Sequence, residues 1–254
     1  MKKLLTIFLA LTLCFISLTA TGCKTVFDGK YNKVSVDEAM EFTVGKAVHS
    51  IEKGNIKIDI SANVYGEKSK TTYEIARTNN DLQMHGNSNP LGIETEFYYT
   101  GGYIYALSRF DGDVHKVRQQ IALSEAVFGT TRIPAVDDRI MEDEVFDIYS
   151  VMDYYKTNDD SEYYIEKTDD YDKLKIVLTT SDYYPAVDHT ITTTTTITFV
   201  YGKYGNYLAS RVNIKDVRVS RKYKETSNIT FSVERFEGTI NLPSAEELEK
   251  YLDA

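Results

Sequence analysis

Cys23 is the residue whose type and position point most directly to chemistry. A thiol is a nucleophile, and this one follows a segment that starts with two lysines, continues through apolar residues 4–18 and ends in the small residues 20–22. A positive start, an apolar centre and a small-residue cleavage site are the three parts of a secretory signal peptide. The sequence therefore predicts an exported chain with a cysteine at the point of cleavage.

This arrangement resembles the signal of bacterial lipoproteins. The resemblance implies that a diacylglyceryl group is transferred to the Cys23 sulfur, that cleavage precedes Cys23, and that the first residue anchors the mature chain. One position departs from the pattern, because Ala20 stands where a leucine is usual. An ordinary secretory signal with an incidental cysteine remains an alternative. A transmembrane helix fits less well, since the apolar run is shorter than the roughly 20 residues that a span needs.

Other reactive groups are few. Cys14 is the only other cysteine and lies within the predicted signal, which excludes disulfides, thiolate zinc sites and cysteine nucleophiles in the mature domain. The histidines are far apart, and His49 is predicted to lie exposed on a first helix. The histidine positions are His49, His85, His115 and His189.

The acidic clusters lack the spacing of a known calcium loop and are predicted to be solvated turns. They lie at 111–113, 137–144, 159–160 and 169–172. We expect no metal ion, no cofactor and no catalytic residue, and therefore no enzyme. A glycosidase with two carboxylates far apart in the chain stays open as a distant alternative.

The net charge is −9, and removal of residues 1–22, which contain Lys2 and Lys3, makes it −11. A strongly acidic protein is poorly suited to bind nucleic acid or anionic headgroups. Attachment to a membrane would therefore depend on the lipid at Cys23.

Two capping boxes predict helices, one from Ser35 with Glu38 and one from Ser244 with Glu247. The apolar spacing after Ser35 predicts a helix that ends near Gly54. Further helices are expected at 121–128 and 137–152, with a strand at 145–151 as the alternative for the second.

Alternating apolar residues predict antiparallel strands joined by short turns. The expected strands are 56–64, 73–75, 82–84, 94–99, 103–110, 163–167, 174–178, 190–201, 207–220 and 229–233. A change of parity within 207–220 predicts a β-bulge near Lys215 and Asp216.

The expected fold class is α+β, with one wide, twisted antiparallel sheet, a half-barrel, and helices on one of its faces. The predicted organisation is a signal peptide at 1–22, a lipidated tether at 23–34 and a single domain at 35–254. Aromatic residues fall on both faces of the hairpin 94–110, which predicts that part of the second face is also sheltered.

The order of a lipoprotein cysteine, an N-terminal helix and long antiparallel strands is similar to the lipoprotein-carrier half-barrels. These include the periplasmic lipoprotein-localisation carrier and receptor and the mycobacterial glycolipid-binding lipoproteins. The similarity includes the phrase 98–105 around Gly101-Gly102 and the closing strand before Asn241-Leu242-Pro243.

The resemblance implies that the concave face of the sheet holds acyl chains, and that the protein sits on the outer face of the cytoplasmic membrane, as on a Gram-positive cell. The implied ligand-lining residues are Ile58, Ile60, Tyr73, Ile75, Phe97, Tyr99, Tyr103, Tyr105, Ile176, Leu178, Ile197 and Phe199.

Two hypotheses for function arise from these patterns. The first is a membrane-anchored protein that binds a lipid or another hydrophobic ligand on its sheet. The second is a structural or sensory surface lipoprotein that acts through protein contacts and has no small-molecule ligand.

Overall fold

The computed structural model describes residues 26–49, 53–89, 93–128, 147–221 and 223–253. The chain divides into two units, residues 1–30 and residues 31–254, and the strands and helices named below belong to the second unit. The predicted lipid-attachment residue, Cys23, lies outside the described residues.

Thirteen strands form one wide, open sheet in the described part of the chain, which confirms the α+β fold class. The order across the sheet is β1-β8-β9-β10-β11-β12-β2-β3-β4-β5-β6-β7-β13, and neighbours are antiparallel except for β13 and β7. The strands are β1 (Asn32–Val34), β2 (Ile56–Val64), β3 (Glu67–Thr78), β4 (Asp81–Ser88), β5 (Glu94–Thr100), β6 (Tyr103–Phe110), β7 (Asp113–Gln120), β8 (Ser161–Lys167), β9 (Tyr171–Tyr184), β10 (His189–Gly202), β11 (Tyr207–Ser220), β12 (Lys224–Arg235) and β13 (Leu252–Asp253).

Four short α-helices accompany the sheet among the described residues: α1 (Val36–Thr43), α2 (Leu123–Phe128), α3 (Ile148–Tyr155) and α4 (Ala245–Leu248). A 3₁₀ turn at Pro185–Val187 joins β9 to β10. Both predicted capping boxes are present, because Ser35 and Ser244 each exchange hydrogen bonds with a glutamate three residues later.

One face of the sheet carries the core. Residues opposite each other in neighbouring strands share a face, and a row of such residues crosses the sheet from β9 to β3. We call this side the inner face and the other side the outer face. The row consists of Leu174, Phe199, Ser210, Val233, Ile58 and Tyr73.

The turns show why the sequence pairs its strands in this register. Gly101 and Gly102 both have positive φ, +59° and +81°, which gives a two-residue hairpin with Thr100 opposite Tyr103. Asp111 and Gly112 repeat the arrangement between β6 and β7, with φ of +50° and +88°. The hairpin at Gly101-Gly102 was predicted from its turn residues, whereas at 111–113 the sequence predicted only a turn.

Helix α1 is shorter than its apolar spacing predicted. It ends at Thr43, Val44 has an extended backbone, and Gly45 has φ +75°, a conformation that glycine adopts at low cost. The chain therefore leaves the helix eleven residues before Gly54. Similarly, the C-terminal helix α4 has only four residues before the chain reaches β13.

The predicted bulge at 215–216 is wrong. β11 pairs through these residues without interruption, and the register shift lies between Val200 and Tyr201. The parity change has another cause: Ile214 faces the buried inner side, whereas Val219 lies on the outer face and is 45% exposed.

Two further elements differ from the sequence prediction. Strand β7 was not expected, because Val114 and Val117 lie an odd number of residues apart and give no alternation. The helix predicted at 137–152 corresponds to α3, which extends to Tyr155 and excludes a strand from Ile148 onward. Its first part lies outside the described residues.

Candidate functional site

Ten of the twelve predicted ligand-lining residues lie together on the inner face. Ile58 is opposite Tyr73, Ile176 is opposite Ile197, and the rings of Tyr73 and Phe97 lie 6.1 Å apart. The remaining inner-face members of the set are Ile60, Ile75, Tyr99, Leu178 and Phe199.

Tyr103 and Tyr105 lie on the outer face, so their prediction as ligand-lining residues of the inner face is wrong. The two-residue turn puts Thr100 opposite Tyr103 and Tyr98 opposite Tyr105, whereas Tyr99 and Ile104 point inward. A hairpin with rings at 97, 98, 99, 103 and 105 must divide them between two faces, because the side-chain period of a strand is two.

The C-terminal segment shelters the outer-face rings. Tyr251 packs edge-on against Tyr105 with ring centroids 5.5 Å apart, and Tyr105 is only 9% exposed. Arg118 donates a hydrogen bond to Asp253 at 2.6 Å and lies 6.0 Å from the ring of Tyr103. Part of the second face is therefore covered, as the sequence predicted, and its cover belongs to the chain itself.

Three helices cover the centre of the inner face. Phe42 of α1, Val127 of α2 and Met152 of α3 belong to the same buried cluster as the sheet residues. Six of the predicted lining residues are at most 1% exposed. They are Ile58, Tyr73, Ile75, Ile176, Ile197 and Phe199.

The apolar surface continues beyond this covered centre. Leu178 and Ile229 are half-buried, pack against the core, and share a row of the inner face with Ile214. Phe97 on β5 and Ile104 on β6 are also half-buried and pack against the core, Phe97 in the row of Tyr73 and Ile104 in the row of Ile75. These side chains can contact both the core and a further apolar molecule.

A polar row comes next on the same face. Thr193 donates a hydrogen bond to Asp216 at 2.8 Å, and Ser227 lies within 3.3 Å of the other carboxylate oxygen. On β11 and β12 the inner face thus changes from the apolar residues Ile214 and Ile229 to the hydrogen-bonding residues Asp216 and Ser227, two positions away along each of these two strands. Such a boundary suits an amphipathic molecule with an apolar chain and a polar group.

A groove of about 600 Å³ lies beside α1, where the helix meets β1, β8 and β9. Its lining combines the apolar residues Val34, Phe42, Val44 and Ile165 with the charged residues Glu38, Glu41, Lys46, Lys167 and Asp172.

Lys46 lines this groove. Its ammonium lies 2.9 Å from Asp172 and 4.6 Å from the centre of the Phe42 ring. Tyr201 provides a second ring at 5.4 Å. Because the lysine is 10% exposed and already paired, the groove presents a closed ion pair and not an open cationic site.

A hydrogen-bonded trio lies on the outer face of β4 and β5. Tyr98 donates to Glu96 at 2.5 Å, His85 lies 3.1 Å from the same oxygen, and the His85 and Tyr98 rings stack at 5.1 Å. Burial and the neighbouring carboxylate raise the pKa of Tyr98. Although burial opposes it, the hydrogen bonds from Tyr98 and His85 hold the pKa of Glu96 below its usual value.

His49 is not the exposed helical residue that the sequence predicted. The helix ends before it, its ring stacks on Tyr207 at 5.5 Å, and Nε2 lies 3.0 Å from the Gly54 carbonyl oxygen. Burial lowers the pKa of His49, and the nearby Lys53 and Arg235 act in the same direction. The hydrogen bond with the Gly54 carbonyl acts in the opposite direction and raises the pKa of His49.

The described residues contain no group of three or more histidine, cysteine or acidic side chains that could hold a metal ion. The acidic cluster at 137–144 lies outside them. No helix within the described ranges is long and apolar enough to cross a membrane. No protein-family model and no curated protein matches this chain.

We expect acid to destabilise the fold through His49. Because its pKa is lower in the folded state, the unfolded state binds more protons, and the free energy of unfolding falls as the pH drops below about 6.5. One proton accounts for at most about 1.4 kcal/mol per pH unit. Urea titrations between pH 7.5 and 5 should show a smaller loss for His49→Gln than for the natural chain.

His115→Gln is the matched control, since His115 is exposed on β7. Its stability should follow the pH profile of the natural chain. Identical profiles for all three proteins would show that His49 does not carry the acid sensitivity.

Proposed function

We propose that this protein is an exported lipoprotein, attached through Cys23 to the outer face of the cytoplasmic membrane, whose half-barrel binds a lipid or another hydrophobic ligand. Binding, and not catalysis, is its role in this proposal. The observation that carries it is the continuation of the apolar inner face past its helical cover, at the half-buried Leu178 and Ile229.

The helices that cover the inner face are short, which supports this proposal. α1 and α3 have eight residues and α2 has six. Isolated helices below about 12–15 residues are marginal in water, so these helices depend on contact with the sheet. An acyl chain offers the sheet the same kind of apolar contact and can extend from the margin beneath them.

The polar row beyond the margin supports an amphipathic ligand. A chain lying along Leu178 and Ile229 would place its polar end near Thr193 and Asp216. A hydroxyl or amine on the ligand can donate to the carboxylate there.

The lipid-binding part of the proposal is tested at the margin. We expect Leu178→Asn with Ile229→Asn to reduce lipid that copurifies with the full-length protein by about tenfold or more, because two apolar contacts become polar. Native mass spectrometry of protein extracted from membranes measures the bound fraction.

Val219→Asn is the control, since Val219 is a partly exposed apolar residue on the outer face. It should keep the bound lipid. A natural chain that carries no ligand, or a margin variant that keeps its full load, would contradict lipid binding at this position.

The anchor is tested separately at Cys23. Cys23→Ala removes the sulfur that would receive the lipid, so we expect an unprocessed precursor or release from the membrane. Fractionation and intact-mass measurement distinguish the two. Cys14→Ala should be processed and membrane-bound like the natural chain, and a Cys23→Ala protein that behaves in the same way would refute the anchor.

A surface lipoprotein that acts through protein contacts is the second candidate. It is favoured by exposed apolar side chains at the hairpin ends where β2–β3, β9–β10 and β11–β12 turn. These residues include Tyr65, Tyr183, Tyr184, Val187 and Tyr223, each at least 44% exposed. This candidate replaces lipid binding if the protein isolated from membranes is free of ligand.

A further inference from the structure

Strand β9 extends well beyond the strand beside it. The pairing of β8 with β9 begins at Ser161 opposite Leu178, whereas β9 continues to Tyr184. Within the described residues, segment 179–184 pairs only with β10. All six of its residues, Thr-Thr-Ser-Asp-Tyr-Tyr, lie at least partly exposed along this edge.

Among the described residues, this open edge carries one charged residue, Asp182, and none of the other features that prevent strands from pairing with other chains. Natural edges carry lysines, prolines or bulges, or are covered. The edge of β8 is covered by β1, and β7 carries Lys116 and Arg118 and is covered in part by β13. Segment 179–184 contains no lysine and no proline, and its pairing with β10 has no register shift.

We propose that residues 179–183 pair with the same residues of a second copy of this chain, antiparallel and about a twofold axis. In an antiparallel pair, two residues that face each other must both direct their N–H and C=O groups toward the other strand or both direct them away. Because the two edges are identical, this requires that two residues facing each other both have even numbers or both have odd numbers. The paired segment is then centred on one residue, which faces the same residue of the second copy.

The side chains select Ser181 as that residue. Centring on Asp182 would place two carboxylates opposite each other, which is unfavourable. Centring on Tyr183 would bring Pro185, which has no N–H, into the ladder. Centring on Thr180 would require Leu178, whose edge is already occupied by β8.

The Ser181 register forms favourable pairs. Thr180 faces Asp182 of the second copy, and Thr179 faces Tyr183, which joins a β-branched and an aromatic side chain. Tyr183 is 59% exposed and loses exposed surface on pairing. The two inner faces then lie on the same side of one continuous sheet.

The contact is short, so the dimer is expected to be weak and to depend on concentration. Opposite residues in an antiparallel pair have Cα atoms about 4.5–5.5 Å apart, within the range that a disulfide spans. Ser181→Cys should therefore form a symmetric disulfide between two copies. The experiment uses full-length protein with Cys14→Ser and Cys23→Ser, so that the thiol introduced at position 181 is the single thiol of the chain.

Thr180→Cys in the same background is the control. Position 180 of one copy and position 180 of the other are offset by two residues along the strands. Their Cα atoms are therefore about 8 Å apart, beyond a disulfide's reach. Under mild oxidation we expect dimer on non-reducing gels for position 181 and at least fivefold less for position 180. Equal crosslinking at both positions, or none at position 181, would overturn the proposal.

Charge substitution tests the contact without oxidation. Ser181→Asp and Ser181→Lys each place like charges opposite each other, so each variant alone should sediment as monomer. An equimolar mixture should restore the dimer, since the two variants face each other with opposite charges. A natural chain that stays monomeric at all concentrations, or a mixture that does not associate, refutes the pairing.

Discussion

Packing between the inner face of the sheet and three short helices is the interaction on which the rest of the structure depends. Helices of six to eight residues are too short to persist alone. They are stabilised by burying Phe42, Val127 and Met152 against the sheet, and the sheet in turn has its centre removed from water. Neither layer is stable without the other. The margin, where the sheet extends beyond the helices, is therefore the part of the inner face that is open to contact with a further apolar molecule.

The outer face is organised by different forces. It carries ion pairs and hydrogen bonds between strands, and the C-terminal segment that returns as β13 covers part of its aromatic surface. Tyr251 covers Tyr105, and Asp253 pairs with Arg118. This return also protects one edge of the sheet, whereas the end of β9 has no such cover among the described residues.

Much of the fold could be predicted from local sequence. Strand 56–64 has the predicted bounds because Ile56, Ile58 and Ile60 alternate with polar residues, and the hairpin at Gly101-Gly102 results from backbone conformations that glycine favours. Helix α1 was predicted too long, because apolar spacing continues past Gly45 and says nothing about the turn that ends the helix. β13 has only two residues, and its pairing depends on a contact with a strand more than 130 residues earlier.

The candidate site was predicted only in part, because local alternation determines the face of a side chain within a strand but not the packing of distant segments. Alternation places Ile58 and Tyr73 on one face, so the inner set could be derived from the strands. Tyr103 and Tyr105 were assigned to that face together with Phe97 and Tyr99, whereas the two-residue turn determines that they point outward. Helices on one face were predicted, but which of the lining residues they bury could not be, since that depends on how distant segments pack.

Solution NMR with a nitroxide-labelled palmitic acid tests the central claim, that a hydrophobic ligand binds at the margin of the inner face. Methyl signals of Leu178, Ile214 and Ile229 should broaden on addition of the probe, because the nitroxide lies near them. Methyl signals of Val219 on the outer face and Val187 at the hairpin end should keep their intensity. Broadening confined to Val187 or Val219, or none at any of these methyls, would contradict binding on the inner face.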